Sequence, residues 1–199
     1  LAEAVFGNHA LGRPVIGRAE VISSVSRRSL AAYHRQTYRA GNIVVAAAGN
    51  LEHNHLLPLL ERAAHQRVEP PQAGASVRKP LVKTPPSGLR FQRKDTEQYH
   101  VCVGAPGISR SDRRRFAASV LDAILGGSAS SRLFQEIREK RGLAYAVYTF
   151  AGQYSDTRQV GVYVGTREEN LEPCLAIVAE QIADVAAGNV TEAELERAK

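Results

Sequence analysis

The sequence predicts an α+β fold that is divided into two domains, of which the first is incomplete. Residues 1–67 show the order helix, strand, helix, with one convincing strand. Residues 68–89 are rich in proline and small residues, as is typical of an extended linker. Residues 90–199 show the order β-α-α-β-β-α-α, which is nearly a complete domain. We therefore expect the C-terminal part of a first domain, a linker and most of a second domain.

The first domain is predicted to contribute two helices and one strand. Apolar and aromatic residues recur at helical spacing over residues 26–38 and again over residues 53–66, where Pro58 is compatible with a first helical turn. Between these helices, residues 43–48 are predicted to form a short buried strand. A lone strand leaves backbone groups unpaired on both sides. Its partners are expected either in the second half of the chain or, as we favour, upstream of Leu1.

The second domain is predicted to alternate strands with amphipathic helices. Strands are expected over residues 91–104, 143–150 and 158–166. One helix ends at a glycine pair, and the next runs from the serines near residue 128 to Arg141, followed by Gly142 in the left-handed position.

Two further helices are predicted to close the second domain. The first has the helix-spaced apolar residues Leu171, Leu175, Val178, Ile182 and Val185. The second starts at a capping box formed by Thr191 and Glu194 and is cut off at Lys199.

Composition and charge exclude several classes of protein. No apolar run approaches the roughly 18 to 20 residues that a bilayer requires, so no membrane span is expected. The net charge of +6 is concentrated in residues 1–115, but the basic residues lack the interleaved aromatics that stack on bases, so nucleic acid is not an expected partner. Cys102 and Cys174 are predicted to be buried free thiols, which favours a reducing compartment. We expect a cytoplasmic location, although the absence of methionine leaves targeting open.

The histidines do not form a recognisable metal motif. His53, His55 and Glu61 come closest, but a zinc site on one helix needs ligands at i and i+4, as in H-E-x-x-H or H-x-x-E-H, and neither string occurs. We expect these histidines to be solvated or to cap the helix. No G-x-S-x-G elbow, P-loop or Rossmann fingerprint is present, and the glycine pair in GGSASSRLF is explained by a sharp turn between helices.

The stretch EIREKRGLAY offers the best candidate for chemistry. Arg138 precedes Gly142 by one helical turn, and Tyr145 follows it on a strand, so a sharp corner brings the two side chains together. A guanidinium fork and a phenol are suited to gripping a peptide carbonyl or a developing oxyanion. The alternatives are an arginine that is favoured by the helix dipole and a tyrosine that shares a core-facing strand face with Leu143 and Val147.

The chain resembles the pitrilysin-like (insulinase-type) zinc metallopeptidases, which include mitochondrial processing peptidase, in the segment GGSASSRLFQEIREKRGLAYAVYTF. An earlier segment, FGNHALGRPVIG followed by YRAGNIVVAAAGNLEH, resembles the later part of that family's first domain. The resemblance implies two similar α/β domains of the LuxS/mitochondrial-processing-peptidase-like type, with antiparallel-rich sheets packed by helices. In the family two such halves, from one chain or from a homo- or heterodimer, close like a clamshell around a peptide or presequence-like substrate.

The resemblance also implies a division of labour between parts of the protein. The family's zinc ligands and its general-base glutamate belong to the first domain, upstream of FGNHALG, so zinc is expected as a cofactor whose ligands lie outside these residues. Arg138 and Tyr145 match the arginine and tyrosine that bind substrate beside the zinc from the opposite half, whereas Ser131 and Arg132 are expected to be structural. This chain alone is then expected to be inactive. The alternatives are a non-catalytic partner subunit or scaffold and, less favoured, a basic nucleic-acid binder.

Overall fold

The computed structural model describes residues 1–65 and 88–199, which fall into two compact units. The sheet unit contains residues 1–15 and 88–199 of the described chain, and the helical unit contains residues 16–65. Residues 1–15, which the sequence analysis assigns to the first domain, therefore pack within the sheet unit. The predicted linker at 68–89 lies almost entirely outside the described residues, and the domain bounds stay a prediction.

Three antiparallel strands form the sheet of the sheet unit: β1 Tyr99–Gly107, β2 Ala144–Gln153 and β3 Arg158–Thr166. Their order is β1-β3-β2, so β3 is central and β2 is an edge strand in the described sheet. The predicted positions of β2 and β3 are confirmed. The first strand was expected over residues 91–104 but begins only at Tyr99, because its pairing with β3 starts opposite Thr166.

Three α-helices and one π-helix follow β1 in the described chain. They are α5 Arg115–Leu125, the π-helix Phe134–Glu139, α6 Leu171–Ala186 and α7 Glu192–Ala198. The predicted capping box of α7 is confirmed, since the Thr191 side chain accepts from the Glu194 N–H and the Glu194 side chain accepts from the Thr191 N–H. The predicted α+β fold with an antiparallel sheet packed by helices is thus confirmed.

The core lies between one face of the sheet and the helices. Strand alternation brings the valines of β2 and β3 to that face, where Val147 pairs with Val164. Leu133 and Ile137 are fully buried against them, and α6 contributes Cys174, Ile177 and Val178. The buried stripe of α6 is therefore rotated from the predicted one, of which only Val178 is buried.

The two cysteines differ in their surroundings. Cys174 is a buried free thiol, as predicted, and burial raises its pKa. Cys102 is also free but is exposed, so its predicted burial is wrong. The reason is the sheet register, which places Cys102 opposite Tyr163 on the face away from the core.

The N-terminal segment packs on the sheet through a short helix, α1 Ala2–Phe6. Val5 and Phe6 are buried, and the Phe6 ring meets the Tyr154 ring edge to face with 6.0 Å between centroids. This contact explains why residues 1–15 belong to the sheet unit.

The helical unit contains α2 Ala19–Ser24, α3 Arg27–Thr37 and α4 His53–His65. The two predicted helices are confirmed as α3 and α4, although Pro58 lies in the second turn of α4 rather than the first. No residue from 16 to 64 is buried.

The predicted strand at 43–48 is not formed in the described residues. Ile43 has extended backbone angles (φ −113°, ψ 128°), but residues 43–48 pair with no other strand and are exposed. The prediction of a buried strand is wrong for this chain because a strand needs a hydrogen-bonded neighbour, and the described residues supply none. Among the described residues no helix has both the length and the apolar character needed to cross a bilayer.

Candidate functional site

The helix that carries Arg138 has a π-helical geometry. The Lys140 N–H donates to the Gln135 carbonyl, five residues back, at 2.9 Å. The π segment ends at Glu139, and Gly142 follows it with a φ of +60°, in the left-handed region as predicted. Beyond it the Leu143 N–H donates to the Ile137 carbonyl at 2.9 Å, which turns the chain sharply into β2. Single π turns are found frequently at functional sites.

A β-bulge at the start of β2 determines where Tyr145 points. Ala144 lies opposite Thr166 and Ala146 lies opposite Gly165, so Tyr145 is an extra residue without a partner in β3. Strict alternation would place Tyr145 on the same face as Val147, in the core. The bulge allows Ala144 and Val147 to be buried while Tyr145 is 76% exposed. The alternative that Tyr145 is a core residue is therefore wrong. Bulges often redirect a side chain next to a functional site.

The corner brings the two predicted site residues together at the surface. The Arg138 guanidinium carbon lies 5.7 Å from the centroid of the Tyr145 ring and 4.8 Å from that of the Phe134 ring. Both distances are within the range of cation–π attraction, which holds the guanidinium beside the phenol. The Arg138 side chain is 43% exposed, and its Nε lies 3.8 Å from a Glu139 carboxylate oxygen. The pair is thus adjacent and accessible.

The neighbouring cations have a different carboxylate partner. Lys140 Nζ lies 2.5 Å from Glu136, and Arg141 also forms an ion pair with Glu136. These two cations, first Lys140 and then Arg141, hold the pKa of Glu136 below its ordinary value. Glu136 and Lys140 thus form an ion pair at i,i+4 spacing on the helix.

An open cleft of about 250 Å³ adjoins Arg138. It lies between the turn at residues 126–129, the π-helix residues Phe134 and Arg138, and residues 146–148 of β2. The Thr149 N–H donates to the Gly126 carbonyl at 3.2 Å, so this edge of β2 faces the turn. Because backbone groups alternate along a strand, the N–H and C=O of Val147 point to the same side, into the cleft.

The glycine at the start of this turn is required by packing. A Cβ at Gly126 would lie 2.6 Å from the Thr149 backbone nitrogen, so a side chain there would push the turn away from β2. This agrees with the expectation that the glycine pair makes a sharp turn.

Arg132 anchors the helix that leads to the site. Its Nε lies 2.6 Å from Glu194 and its Nη1 lies 2.6 Å from Asp184, and the side chain is 13% exposed. The pairing with Arg132 lowers the pKa of Glu194 to about 2. Ser131, the preceding residue, is buried. These contacts tie the helix to α6 and α7, as expected of structural residues.

The described residues do not fit a zinc ion. Nowhere in residues 1–65 and 88–199 do three or more His, Cys, Asp or Glu side chains come together to bind a metal. His55 Nδ1 instead lies 3.4 Å from a Glu52 carboxylate at an exposed position, as a solvated or capping histidine would.

One group of candidate residues was missed by the sequence analysis. Tyr148 and Tyr163 lie opposite each other on the face away from the core, and His100 lies diagonally from Tyr163 on the same face. The rings of Tyr148 and Tyr163 stack with 4.8 Å between centroids, and His100 Nδ1 lies 2.7 Å from the Tyr163 hydroxyl. The available signal was the alternation of aromatics with small residues in AYAVYTFAG and VGVYVG.

Comparisons with known proteins identify the family of this fold. Residues 24–199 match the family model described as "Peptidase M16 inactive domain". An uncharacterized zinc protease of Streptomyces coelicolor is 39% identical over 99% of this chain, which spans 44% of that relative. The chain therefore spans less than half the length of that relative.

Two solved structures share the fold. The crystal structure of a peptidase M16 inactive domain from Pseudomonas fluorescens superposes with a TM-score of 0.81 at 26% identity, over 99% of this chain and 47% of the other. A chain of complex III2 from Candida albicans superposes with a TM-score of 0.77 at 18% identity, over 99% and 48% of the two chains, and shows the fold alone. On the strength of the matching family model and the relatives, this chain belongs to the peptidase M16 family, the pitrilysin-like metallopeptidases that its sequence resembles, and carries that family's inactive domain.

Proposed function

We propose that this chain is part of a zinc-dependent endopeptidase and supplies Arg138 and Tyr145 to bind the peptide substrate. The observation that carries the proposal is the exposed pair itself, in which the guanidinium lies 5.7 Å from the phenol ring beside an open cleft. A core tyrosine or a fully ion-paired arginine would not leave both groups accessible. The zinc that the relatives' names imply would be held by residues outside the described part of the chain.

The chemistry of the pair suits a peptide backbone. The guanidinium presents several N–H donors in a fixed plane, and the phenol adds an O–H donor from another direction. Two donors that converge on one carbonyl oxygen polarise it and stabilise the negative charge that develops when the carbon is attacked. The cation–π contact with Phe134 holds the guanidinium in place before substrate arrives, so little ordering is required on binding.

The geometry of the cleft supports a class of substrate. The cleft runs along an edge of β2 where the Val147 backbone groups are directed outward, which suits an extended polypeptide. We propose peptides or presequence-like polypeptides as substrates, enclosed when this part faces the metal-bearing part of a homo- or heterodimeric clamshell in the cytoplasm. In this arrangement the chain alone is inactive.

The test uses the complete polypeptide and a fluorogenic peptide that it cleaves. Arg138→Ala is expected to lower kcat/KM by about 100-fold, the typical cost of removing one donor to a developing oxyanion. Tyr145→Phe keeps the ring and removes only the hydroxyl, and it is expected to lower kcat/KM by about 10-fold or more. Both variants should keep the thermal melting temperature, since both side chains are exposed.

Matched controls separate this role from a general effect on charge or folding. Arg167→Ala removes another exposed arginine, and Tyr99→Phe removes another tyrosine hydroxyl of the sheet unit. Both are expected to leave kcat/KM within about twofold of the unmodified protein. Unchanged kinetics in Arg138→Ala and Tyr145→Phe would remove the pair from the substrate site.

A second candidate function is a non-catalytic partner subunit or scaffold. The shared fold with a chain of complex III2 favours it, as does the lack of a metal-binding cluster among the described residues. The complete polypeptide decides between the two: an H-x-x-E-H helix there, with zinc-dependent cleavage, supports the enzyme. If the complete polypeptide has no H-x-x-E-H helix, Arg138 and Tyr145 either bind the substrate of a zinc-bearing partner chain or take part in no reaction.

A further inference from the structure

The face of the sheet that points away from the core has two halves with different surroundings. At one end α1 covers it, and the Leu1 side chain lies against Gly104, where an added Cβ would come within 3.1 Å of the leucine methyl groups. At the other end lie Tyr148, Tyr163 and His100, and Tyr148 is 45% exposed. On this face an apolar side chain is therefore already bound at one end, and an aromatic surface is exposed at the other.

The open half is flat and aromatic. Glycines alternate with the aromatic residues, so rings lie flat across the sheet: a Cβ at Gly161 would lie 2.6 Å from the Phe150 ring, and one at Gly165 would lie 2.8 Å from the Tyr163 hydroxyl. The stack of Tyr148 on Tyr163 and the contact of that hydroxyl with His100 fix the rings in place. Such a preordered surface binds an apolar group without paying for side-chain ordering.

The aromatic surface carries little charge. The strand register places the following residues on this face: His100, Cys102, Gly104 and Pro106 of β1, Ala146, Tyr148, Phe150 and Gly152 of β2, and Gln159, Gly161, Tyr163 and Gly165 of β3. None of these strand residues is Asp, Glu, Lys or Arg. An uncharged side chain therefore suits the surface better than a phosphate or an ionised group, which would lose hydration without gaining a counter-charge.

The surface is continuous with the candidate site. Tyr148 lines the cleft that Arg138 also lines, and it stacks on Tyr163 on the other side. The bulge that exposes Tyr145 lies at the same end of the sheet, opposite Gly165 and Thr166 of β3. Side chains of an extended peptide alternate between two sides, so a peptide with its backbone in the cleft directs one side chain over Tyr148.

We propose that Tyr148, Tyr163 and His100 form a specificity subsite for an uncharged aromatic or aliphatic side chain of the peptide. The inference rests on the proposed function, because the peptide is the one that Arg138 and Tyr145 bind. The aromatic rings supply apolar area and edge or face contacts to the side chain. The subsite thereby selects the substrate class: peptides with a bulky apolar residue at one fixed distance from the cleaved bond.

The experiment compares matched peptides in the complete polypeptide. One fluorogenic peptide sequence is prepared with Phe, Ala or Glu at each position in turn, and kcat/KM is measured for each. At one position the unmodified protein is expected to prefer Phe over Ala by about tenfold or more. Tyr148→Ala is expected to abolish that preference, because it lowers kcat/KM for the Phe peptide by about tenfold more than it lowers kcat/KM for the Ala peptide. Tyr148→Lys is expected to reverse the choice toward the Glu peptide, a gain that misfolding does not produce.

Two variants separate this inference from the proposed function. Tyr99→Ala removes a tyrosine of similar exposure from the opposite face of the sheet and is expected to keep the Phe preference. Arg138→Ala is expected to lower cleavage of all peptides equally.

If Arg138→Ala has no effect, the proposed function fails. If it lowers cleavage but the Phe preference is absent from the unmodified protein, or survives in Tyr148→Ala and Tyr148→Lys, the subsite alone is overturned. If Tyr148→Ala instead changes only self-association, the surface binds a second copy and the inference fails.

Discussion

The sheet unit and the helical unit both contain amphipathic helices, yet only the sheet unit buries their apolar faces. In the sheet unit, α6 places Cys174, Ile177 and Val178 against β2 and β3. In the helical unit, α3 has Leu30 and Tyr33 at 56% and 61% exposure. A helical pattern is a local property of the sequence, whereas burial requires a second layer to pack against. In the described residues only the sheet unit has that layer.

The extended segment at 43–48 shows the same difference for strands. Its apolar residues are comparable to those of β3, but Val44 is 94% exposed while Val164 is 2% exposed. Val164 lies in a central strand with neighbours on both sides, and residues 43–48 have none among the described residues. The sheet, rather than the hydrophobicity of the segment, determines which side chains reach a core.

The largest expected effect follows directly from this comparison of the two units. Leu133→Ala in the sheet unit removes a side chain that is 0% exposed, and it is expected to lower the free energy of unfolding by about 3 kcal/mol. Leu30→Ala makes the same change in the helical unit at 56% exposure, and its effect is expected to stay within about 0.5 kcal/mol. Urea denaturation of this chain, followed by circular dichroism, measures both. Equal losses would mean that residues 16–65 share a core with residues that the structure does not describe.

The periodic elements of the fold could be predicted from the sequence because their causes are local. The α3, α4, α6 and α7 helices follow from apolar spacing and from the Thr191 and Glu194 capping box, and β3 follows from alternation bounded by turn residues. The prediction of a strand at 43–48 was wrong because hydrogen-bonded pairing with a neighbouring strand is not a local property of the sequence. The predicted burial of Cys102 was wrong for the same reason, since the exposure of a strand residue depends on which face of the sheet the helices cover.

The candidate site was predictable in part. The corner at Gly142 follows from glycine after a helix, and it brings Arg138 close to Tyr145 as the spacing predicts. The bulge that turns Tyr145 outward could not be predicted, because it arises from the register between β2 and β3. The stack of Tyr148 on Tyr163 was likewise missed, since two strands must pair before their aromatic residues become neighbours.

A smaller difference between the units is expected in their response to acid. Pairing with Arg132 lowers the pKa of Glu194 from its ordinary value of 4.5 to about 2 in the folded chain. A carboxyl whose folded pKa is depressed contributes stability that is present in full above its unfolded pKa and is lost as the pH falls through the folded pKa. The contribution of Glu194 should therefore be complete above about pH 5 and disappear between about pH 4.5 and pH 2.

The matched substitution Glu→Gln tests this in both units. At pH 7, Glu194→Gln is expected to lower the free energy of unfolding by about 2 kcal/mol, because Arg132 loses one of its two carboxylate partners. Glu52→Gln in the helical unit removes an exposed carboxylate near His55. It is expected to change the free energy of unfolding by less than about 0.5 kcal/mol. Urea denaturation repeated at pH 7, 4.5 and 3 should show the Glu194→Gln deficit shrinking as the pH falls. A deficit that is constant across this range would assign it to packing rather than to charge.

The smallest expected effect concerns the glycine that makes the corner of the site. Gly142 has a φ of +60°, and an added Cβ there would meet nothing within 4 Å, so Gly142→Ala tests backbone conformation without a steric clash. We expect a loss of about 1 kcal/mol in the free energy of unfolding, because alanine disfavours the left-handed region. Gly41 in the helical unit also has open space around its Cβ position but does not have a positive φ, so Gly41→Ala should cost nothing measurable. Gly142→Asn should recover part of the loss, since asparagine tolerates this conformation better than alanine. If Gly142→Ala and Gly41→Ala were equivalent, the left-handed turn would not be what holds Arg138 and Tyr145 at one corner.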